Sequence, residues 1–190
     1  QLLTEKTIES SYQSSIATIW KDRVAKHQEY TAKIPFSDFK VFDFICQNVP
    51  KNSQLQVSNS SAIRYLQLFD LDKSIQVFCN RGTSGIDGST STAIGAALAS
   101  DLPTMLITGD ISFLYDSNAL WNNYIPKNFK IILLNNCGGG IFRILPGHQE
   151  TETFNTYFET SHQLNALHLA KMYGFDYYTA TDEDSLKTSY

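Results

Sequence analysis

The chain has few cysteines, little net charge and no long apolar run, and each shortage removes a class of function. Cys46, Cys79 and Cys137 are far apart and odd in number. That excludes a disulfide framework or a CxxC metal knuckle and makes a reducing cytoplasm the expected compartment. No apolar stretch approaches the roughly 20 residues that cross a bilayer, so no membrane span is expected. The formal net charge over 190 residues is -4, with no concentrated basic face, so no nucleic-acid partner is expected. A basic–apolar–small leader, internal repeats and low-complexity tracts are missing as well. Ser58-Asn59-Ser60-Ser61 follows the first strand, where a dinucleotide-binding domain would carry GxGxxG. The chain opens on Gln1 and stops at Tyr190, after an acidic stretch that reads as a helix start, so a piece of a longer polypeptide is expected. What the chain does have is core material: 42% apolar residues, with 12 Phe, 10 Tyr and 2 Trp, which argues against disorder.

Residues 1–34 are polar and helix-prone, from Thr7 through Trp20 to Tyr30, with Ile8, Tyr12, Ile16 and Ile19-Trp20 on one sparse stripe. This predicts an amphipathic linker helix packed on a preceding domain. Residues 35–190 then form the main domain, truncated at its C-terminus. Ser37 is a candidate N-cap for a helix carrying Phe39, Phe42, Ile45 and Val49, which Pro50 ends. Beyond it, short apolar strands alternate with helices. The strands are Leu55 to Val57, Ile75 to Cys79, Thr104 to Thr108, Lys130 to Leu134 and, last, Phe175 to Tyr178. The helices follow at about 61–69, 89–99, 113–124 and 163–173. The pattern predicts an α/β fold, a three-layer α/β/α domain with a mostly parallel sheet. Ligands of such folds sit at the carboxyl ends of the strands. There the sequence concentrates its unusual chemistry: Asn59-Ser60, Asn80 to Gly88, Gly109-Asp110 and Asn135 to Gly140.

Gly109-Asp110-Ile111-Ser112 follows a strand and opens a helix, a place suited to phosphate. Asp110 would repel a bare diphosphate, so the pairing makes sense with a divalent cation between the two. Twenty-four residues separate Ile111 from Asn136, enough for one helix and one parallel strand to bring both tips side by side. The Asp110 carboxylate, the Asn136 amide oxygen and a glycine-run carbonyl form a hard-oxygen set suited to Mg²⁺. Taken singly, Asp110 reads as a helix cap and Asn135 to Gly138 as a turn; taken together they point to metal.

The GD-S sequence followed by Asn-Asn resembles the thiamine-diphosphate (ThDP) motif, with Ile111 where glycine is usual. The stretches Asn80 to Ser89, Gly109 to Asp116, Asn135 to Phe142 and Asn59 to Arg64 resemble one branch of that group, the SEPHCHC synthases of the menaquinone pathway. The likeness covers roughly residues 36–178; Cys137 and Gly140 stand where relatives often carry other residues.

The resemblance implies the C-terminal diphosphate-binding domain of a transferase that uses ThDP and Mg²⁺ (or Mn²⁺). That reaction decarboxylates 2-oxoglutarate and adds the succinyl carbanion equivalent to isochorismate. Another ThDP-dependent 2-oxoacid decarboxylase, or an acetolactate-type synthase, is the alternative. By resemblance, Asp110, Asn136 and the Gly138 carbonyl hold the metal, and Ile111 and Ser112 contact the diphosphate. Ile86 supports the bent cofactor, with Ser84 and Gly85 against the aminopyrimidine. Arg64 and Arg81 receive substrate carboxylates, with polar help from Asn59 and Ser60, and Ile141 and Phe142 form an apolar wall, or else pack on the following helix. The activating glutamate is expected from a pyrimidine-binding domain of a partner subunit in a homodimer or homotetramer, so the isolated chain is expected to be inactive. His148, His162 and His168 share no ligand spacing and are read as surface or structural residues. Asp87 and Asp116 are read as caps or loop-orienting groups.

Overall fold

The computed structural model describes residues 11–190. Thr7 and Ile8, the start of the expected first helix, lie outside the described residues. Eight α-helices and four strands are described: α1 (Ser11–Lys33), α2 (Asp38–Asn48), β1 (Gln54–Val57), α3 (Ser61–Leu66), β2 (Gln76–Cys79), α4 (Ser89–Leu98), β3 (Thr104–Gly109), α5 (Asp110–Asp116), β4 (Lys130–Leu134), α6 (Ile141–Ile144), α7 (Leu167–Met172) and α8 (Glu183–Ser189). A 3₁₀ turn at Ser117–Trp121 extends α5, and a π turn spans Phe154–Glu159.

The sheet is parallel throughout, in the order β2-β1-β3-β4. Alternation along the strands divides the core. Leu55, Val57, Met105 and Ile107 turn toward α2 and α3, where Phe42, Ile45, Ala62 and Leu66 meet them. Leu106 turns the other way, against Ala93, Ile94 and Ala97 of α4 and Phe113 of α5. Phe42, Ile45, Leu55, Leu106 and Ile107 are fully buried. Each such side chain contributes about 1.5–3 kcal/mol relative to its exposed form. Gln54 and Gln56, also buried, share a 3.1 Å side-chain hydrogen bond, so β1 is covered on both faces despite its two amides. Helices on both sides of a parallel sheet make the three-layer architecture.

Several sequence expectations need correction. Phe175 to Tyr178 forms no strand among the described residues. Phe175 and Tyr177 pack on the second core while Tyr178 is exposed, so the alternation reflects side-chain burial without a backbone ladder. The helix expected over 113–124 begins at Asp110 and tightens to 3₁₀ after Asp116. The one expected over 163–173 is confined to Leu167–Met172. Ser37 occupies the N-cap position of α2, but its hydroxyl caps nothing and is buried without a partner. On α1, Tyr12, Ile16 and Ile19 are exposed, and no described residue of the helix is buried. From Trp20 onward the helix meets the domain. Trp20 Nε1 donates to Asp70 at 2.7 Å, and His27 and Tyr30 meet the Phe39 ring. No described helix is long and apolar enough to cross a membrane.

Candidate functional site

Parallel registers put all four strand ends on one edge. Val57 aligns with both Cys79 and Ile107, and Gly109 aligns with Leu134. The loops beginning at Ser58, Asn80, Asp110 and Asn135 therefore emerge side by side. Three non-glycine residues with left-handed backbone, Ser60, Ser84 and Cys137, sit in these loops. Such conformations carry a conformational penalty and concentrate where a ligand or a tight loop requires them.

At the centre is Asp110, 4% exposed. Its Oδ1 accepts the Ile111 N–H at 2.7 Å, and its Oδ2 accepts the Gly138 N–H at 3.0 Å. The tips of β3 and β4 thus meet at the residues expected to hold a metal. Gly138 has φ +154°, and a Cβ there would stand 2.8 Å from the Glu159 carbonyl oxygen, so only glycine fits. The Asn136 side chain is turned elsewhere: its Nδ2 donates to Asp38 Oδ2 at 3.3 Å. Burial, opposed by the Asn136 hydrogen bond and reinforced by the negative charge of Asp110, raises the Asp38 carboxyl above its ordinary value. Neither Asp38 nor Asp110 pairs with a Lys or Arg among the described residues. Two neighbouring carboxylates without a Lys or Arg partner, flanked by an amide and a glycine loop, suit a hard dication. No group of three or more His, Cys, Asp or Glu forms a metal cluster among the described residues. A metal here would rest on one or two carboxylates plus neutral oxygens.

The loop between β2 and α4 is braced from two sides. The buried Asn59 amide donates to the carbonyls of Asn80 and, at 2.6 Å, Gly85, while its Oδ1 lies 3.3 Å from Arg81 Nη1. Asn59 is therefore committed to holding the loop and orienting Arg81. Ser112 donates its hydroxyl to the Ile86 carbonyl, which ties α5 to the same loop and leaves Ile86 half-buried. Ser84 is exposed in that loop and Gly85 half-buried. Arg64 folds back, Nη1 to the Ser60 carbonyl at 2.8 Å. Both guanidinium groups are exposed and free of ion pairs among the described residues.

Beyond Gly138 the chain doubles back on itself. Gly139 donates its N–H to the Glu159 carbonyl at 2.6 Å, and Arg143 grips Glu159 through Nε and Nη2 and Glu150 through Nη1. Half-buried Phe142 rests edge-on against Phe158, ring centres 5.9 Å apart, so it packs on the π turn, with Ile141 half-buried beside it. His162 closes this return. Its N–H bonds the Cys137 carbonyl, and its ring reaches Asp110. Asp38 escaped the sequence reading, and His162 was read only as a surface or structural residue, because each lies far along the chain from the motif it joins. Asp116 caps α4 from outside that helix, its two carboxylate oxygens taking the Ser91 N–H at 2.7 Å and hydroxyl at 2.6 Å. Cys137 is exposed. A cleft of about 390 Å³ lies between α1, α2 and α8 and is lined by no strand-tip residue.

A parallel α/β domain with a buried acid beside a glycine loop at its strand tips has the architecture of α/β domains that take a ligand at the carboxyl ends of their strands. Residues 59–189 match the family described as thiamine pyrophosphate enzyme, C-terminal TPP binding domain, and the chain belongs to that family. Two solved structures share the fold. One is the benzoylformate decarboxylase from Polynucleobacter necessarius (TM-score 0.61, 19% identity, 83% of this chain and 30% of that one). The other is the ThDP-dependent 4-hydroxybenzoylformate decarboxylase of Rhodococcus jostii RHA1 (TM-score 0.60, 24% identity, 80% and 29%). Among curated proteins, the chain is similar to the 2-succinyl-5-enolpyruvyl-6-hydroxy-3-cyclohexene-1-carboxylate synthases. It is 70% identical to that of Flavobacterium psychrophilum over 95% of this chain, and 68% identical to that of Flavobacterium johnsoniae over 94%. It spans about a third of the length of either relative: 33% and 32%.

Proposed function

We propose that this chain is the ThDP- and Mg²⁺-binding part of a SEPHCHC synthase, the cytoplasmic enzyme that decarboxylates 2-oxoglutarate and adds the resulting succinyl unit to isochorismate in menaquinone biosynthesis. The observation that carries the reading is the meeting of buried Asp110 with the Gly138 loop across adjacent parallel strands. The 70% identity to a relative bearing that name supports the choice among ThDP enzymes over a 2-oxoacid decarboxylase or an acetolactate-type synthase.

When bound, ThDP supplies an electron sink for the carbon that loses CO₂. The protein's share is positioning. Asp110, an Asn136 turned from Asp38 and the Gly138 carbonyl would hold the dication, with Ile111 and Ser112 beside the diphosphate. Ile86, fixed through its carbonyl by Ser112, would support the cofactor, with Ser84 and Gly85 on the same loop and Ile141 nearby. Arg64 and Arg81, exposed and free of ion pairs among the described residues, suit the carboxylates of both substrates. Asn59 holds Arg81 in place, Ser60 holds Arg64 through its carbonyl, and Phe142 would exclude water. The helix α1 would lead from a preceding domain. The activating glutamate would come from a pyrimidine-binding domain of a partner subunit in a homodimer or homotetramer.

The test is calorimetric titration of ThDP into the full-length protein with and without Mg²⁺. Asp110→Ala should abolish the Mg²⁺-dependent binding; unchanged affinity refutes the assignment. Release of CO₂ from 2-oxoglutarate that leads to product only when isochorismate is present separates this synthase from other ThDP enzymes.

A further inference from the structure

The His162 ring is held through Nδ1, and that contact fixes where the proton of its neutral form lies. Its Nδ1 accepts the Leu164 N–H at 3.1 Å, so in the neutral imidazole the hydrogen resides on Nε2. That Nε2 is buried, has no hydrogen bond of ordinary geometry, and stands 3.3 Å from Asp110 Oδ2. The side chains are 12% and 5% exposed, so water is a poor substitute partner. Each carboxylate oxygen can accept two hydrogen bonds. On Oδ2, the Gly138 N–H takes one place and His162 faces the other. On Oδ1, the Ile111 N–H takes one place, and one acceptor position remains open.

We propose that His162 is a positioning residue for Asp110: its Nε2–H, 3.3 Å from Oδ2 with no other partner among the described residues, steadies the carboxylate from that side and leaves the open acceptor position of Oδ1 for the divalent cation. This rests on the reading of Asp110 as a metal ligand. The backbone supports the same role, because the His162 N–H bonds the Cys137 carbonyl and so couples the ring's placement to the glycine loop that meets Asp110. Groups that orient a metal's own ligands typically change metal affinity 10- to 100-fold when lost.

Two conservative variants separate this role from plain loop support. His162→Gln places an amide N–H near the position of Nε2 but loses the acceptor for Leu164. His162→Asn retains an acceptor for the Leu164 N–H, as an Asx turn does, but cannot reach Asp110. The probe is Mg²⁺ alone, titrated into the full-length protein at fixed ThDP, with bound ThDP as the readout and circular dichroism as the check on folding. The expected result is an apparent Mg²⁺ affinity 10- to 100-fold weaker in His162→Ala and His162→Asn, and within about threefold of the parent in His162→Gln. Recovery by Asn and failure of Gln would show loop support and overturn the proposal. Equal loss in all three, or loss in none, overturns it as well. A parent protein that shows no Mg²⁺-dependent ThDP binding sinks the reading of Asp110 itself, a different outcome from any of these.

Discussion

Replacing Asp116 by alanine should loosen the first turn of α4 without touching the sheet. The helix starts after Gly88, which has no side chain to cap it, and the first-turn N–H of Ser91 is satisfied by Asp116 from α5. Loss of a helix cap costs about 1 kcal/mol. Loss of a negative charge from a helix N-terminus adds about 0.3–1 kcal/mol. The Ser91 hydroxyl loses a charge-assisted bond as well, but Ser91 is exposed and water replaces part of that bond. The combined effect is about 2 kcal/mol, or roughly 30-fold in a local opening equilibrium. Hydrogen exchange of peptides covering residues 88–98 in the full-length protein reads this directly. Asp116→Ala should speed exchange roughly 30-fold. Asp116→Asn, which keeps an oxygen acceptor, should speed it about fivefold, and Ser91→Ala, which loses only the hydroxyl bond, still less. A change under twofold in Asp116→Ala, or a larger effect from Ser91→Ala, refutes the reasoning.

Two further outcomes follow from the charge environment. Burial, and after it the negative charge of Asp43, pushes the Cys46 thiol up to about 12, and burial also raises Cys79, while Cys137 is exposed. Alkylation by iodoacetamide near pH 8, mapped by mass spectrometry, should therefore mark Cys137 first and Cys46 last; rapid labelling of Cys46 in folded protein would contradict this. The hydrogen bonds from Arg143 hold the Glu159 carboxyl below its ordinary value. A carboxyl lowered on folding contributes stability above its unfolded value and loses it as pH falls through the folded one. Protection from exchange in residues 154–161, corrected for the intrinsic rate that itself falls with pH, should thus weaken as pH drops below the ordinary glutamate range. Glu159→Gln should remove that acid-induced weakening, and an identical acid response in the variant would count against the pair.

The strands β1 to β4 and the parallel sheet were legible because short apolar runs bounded by Gly, Asn and Ser carry the signal locally. So was the pairing of Asp110 with the glycine loop, since one helix and one strand fix where the two tips emerge. Phe175 to Tyr178 misled because alternation reports which side chains are buried, not whether the backbone finds a ladder. As site residues, Asp38 and His162 were illegible for another reason. One begins a helix far upstream and the other follows a long return, and nothing in their neighbourhoods announces contact with the Asn136 loop or with Asp110. Asn59 shows a subtler limit. A polar residue at a strand tip reads as a ligand contact, yet its hydrogen-bonding groups are engaged with its own loops.

The double grip of Arg143 on Glu150 and Glu159 has a practical reach. Residues 145–149 are all exposed and run between Arg143 and the Glu150 that it grips, so they behave as a tether whose length is nearly free to vary. Doubling such a loop costs only about 0.6 kcal/mol. A peptide epitope or a fluorescent label spliced into that arc would hang from Arg143, whose other partner, Glu159, takes the Gly139 N–H, and so would be joined by two contacts to the glycine loop without interrupting it.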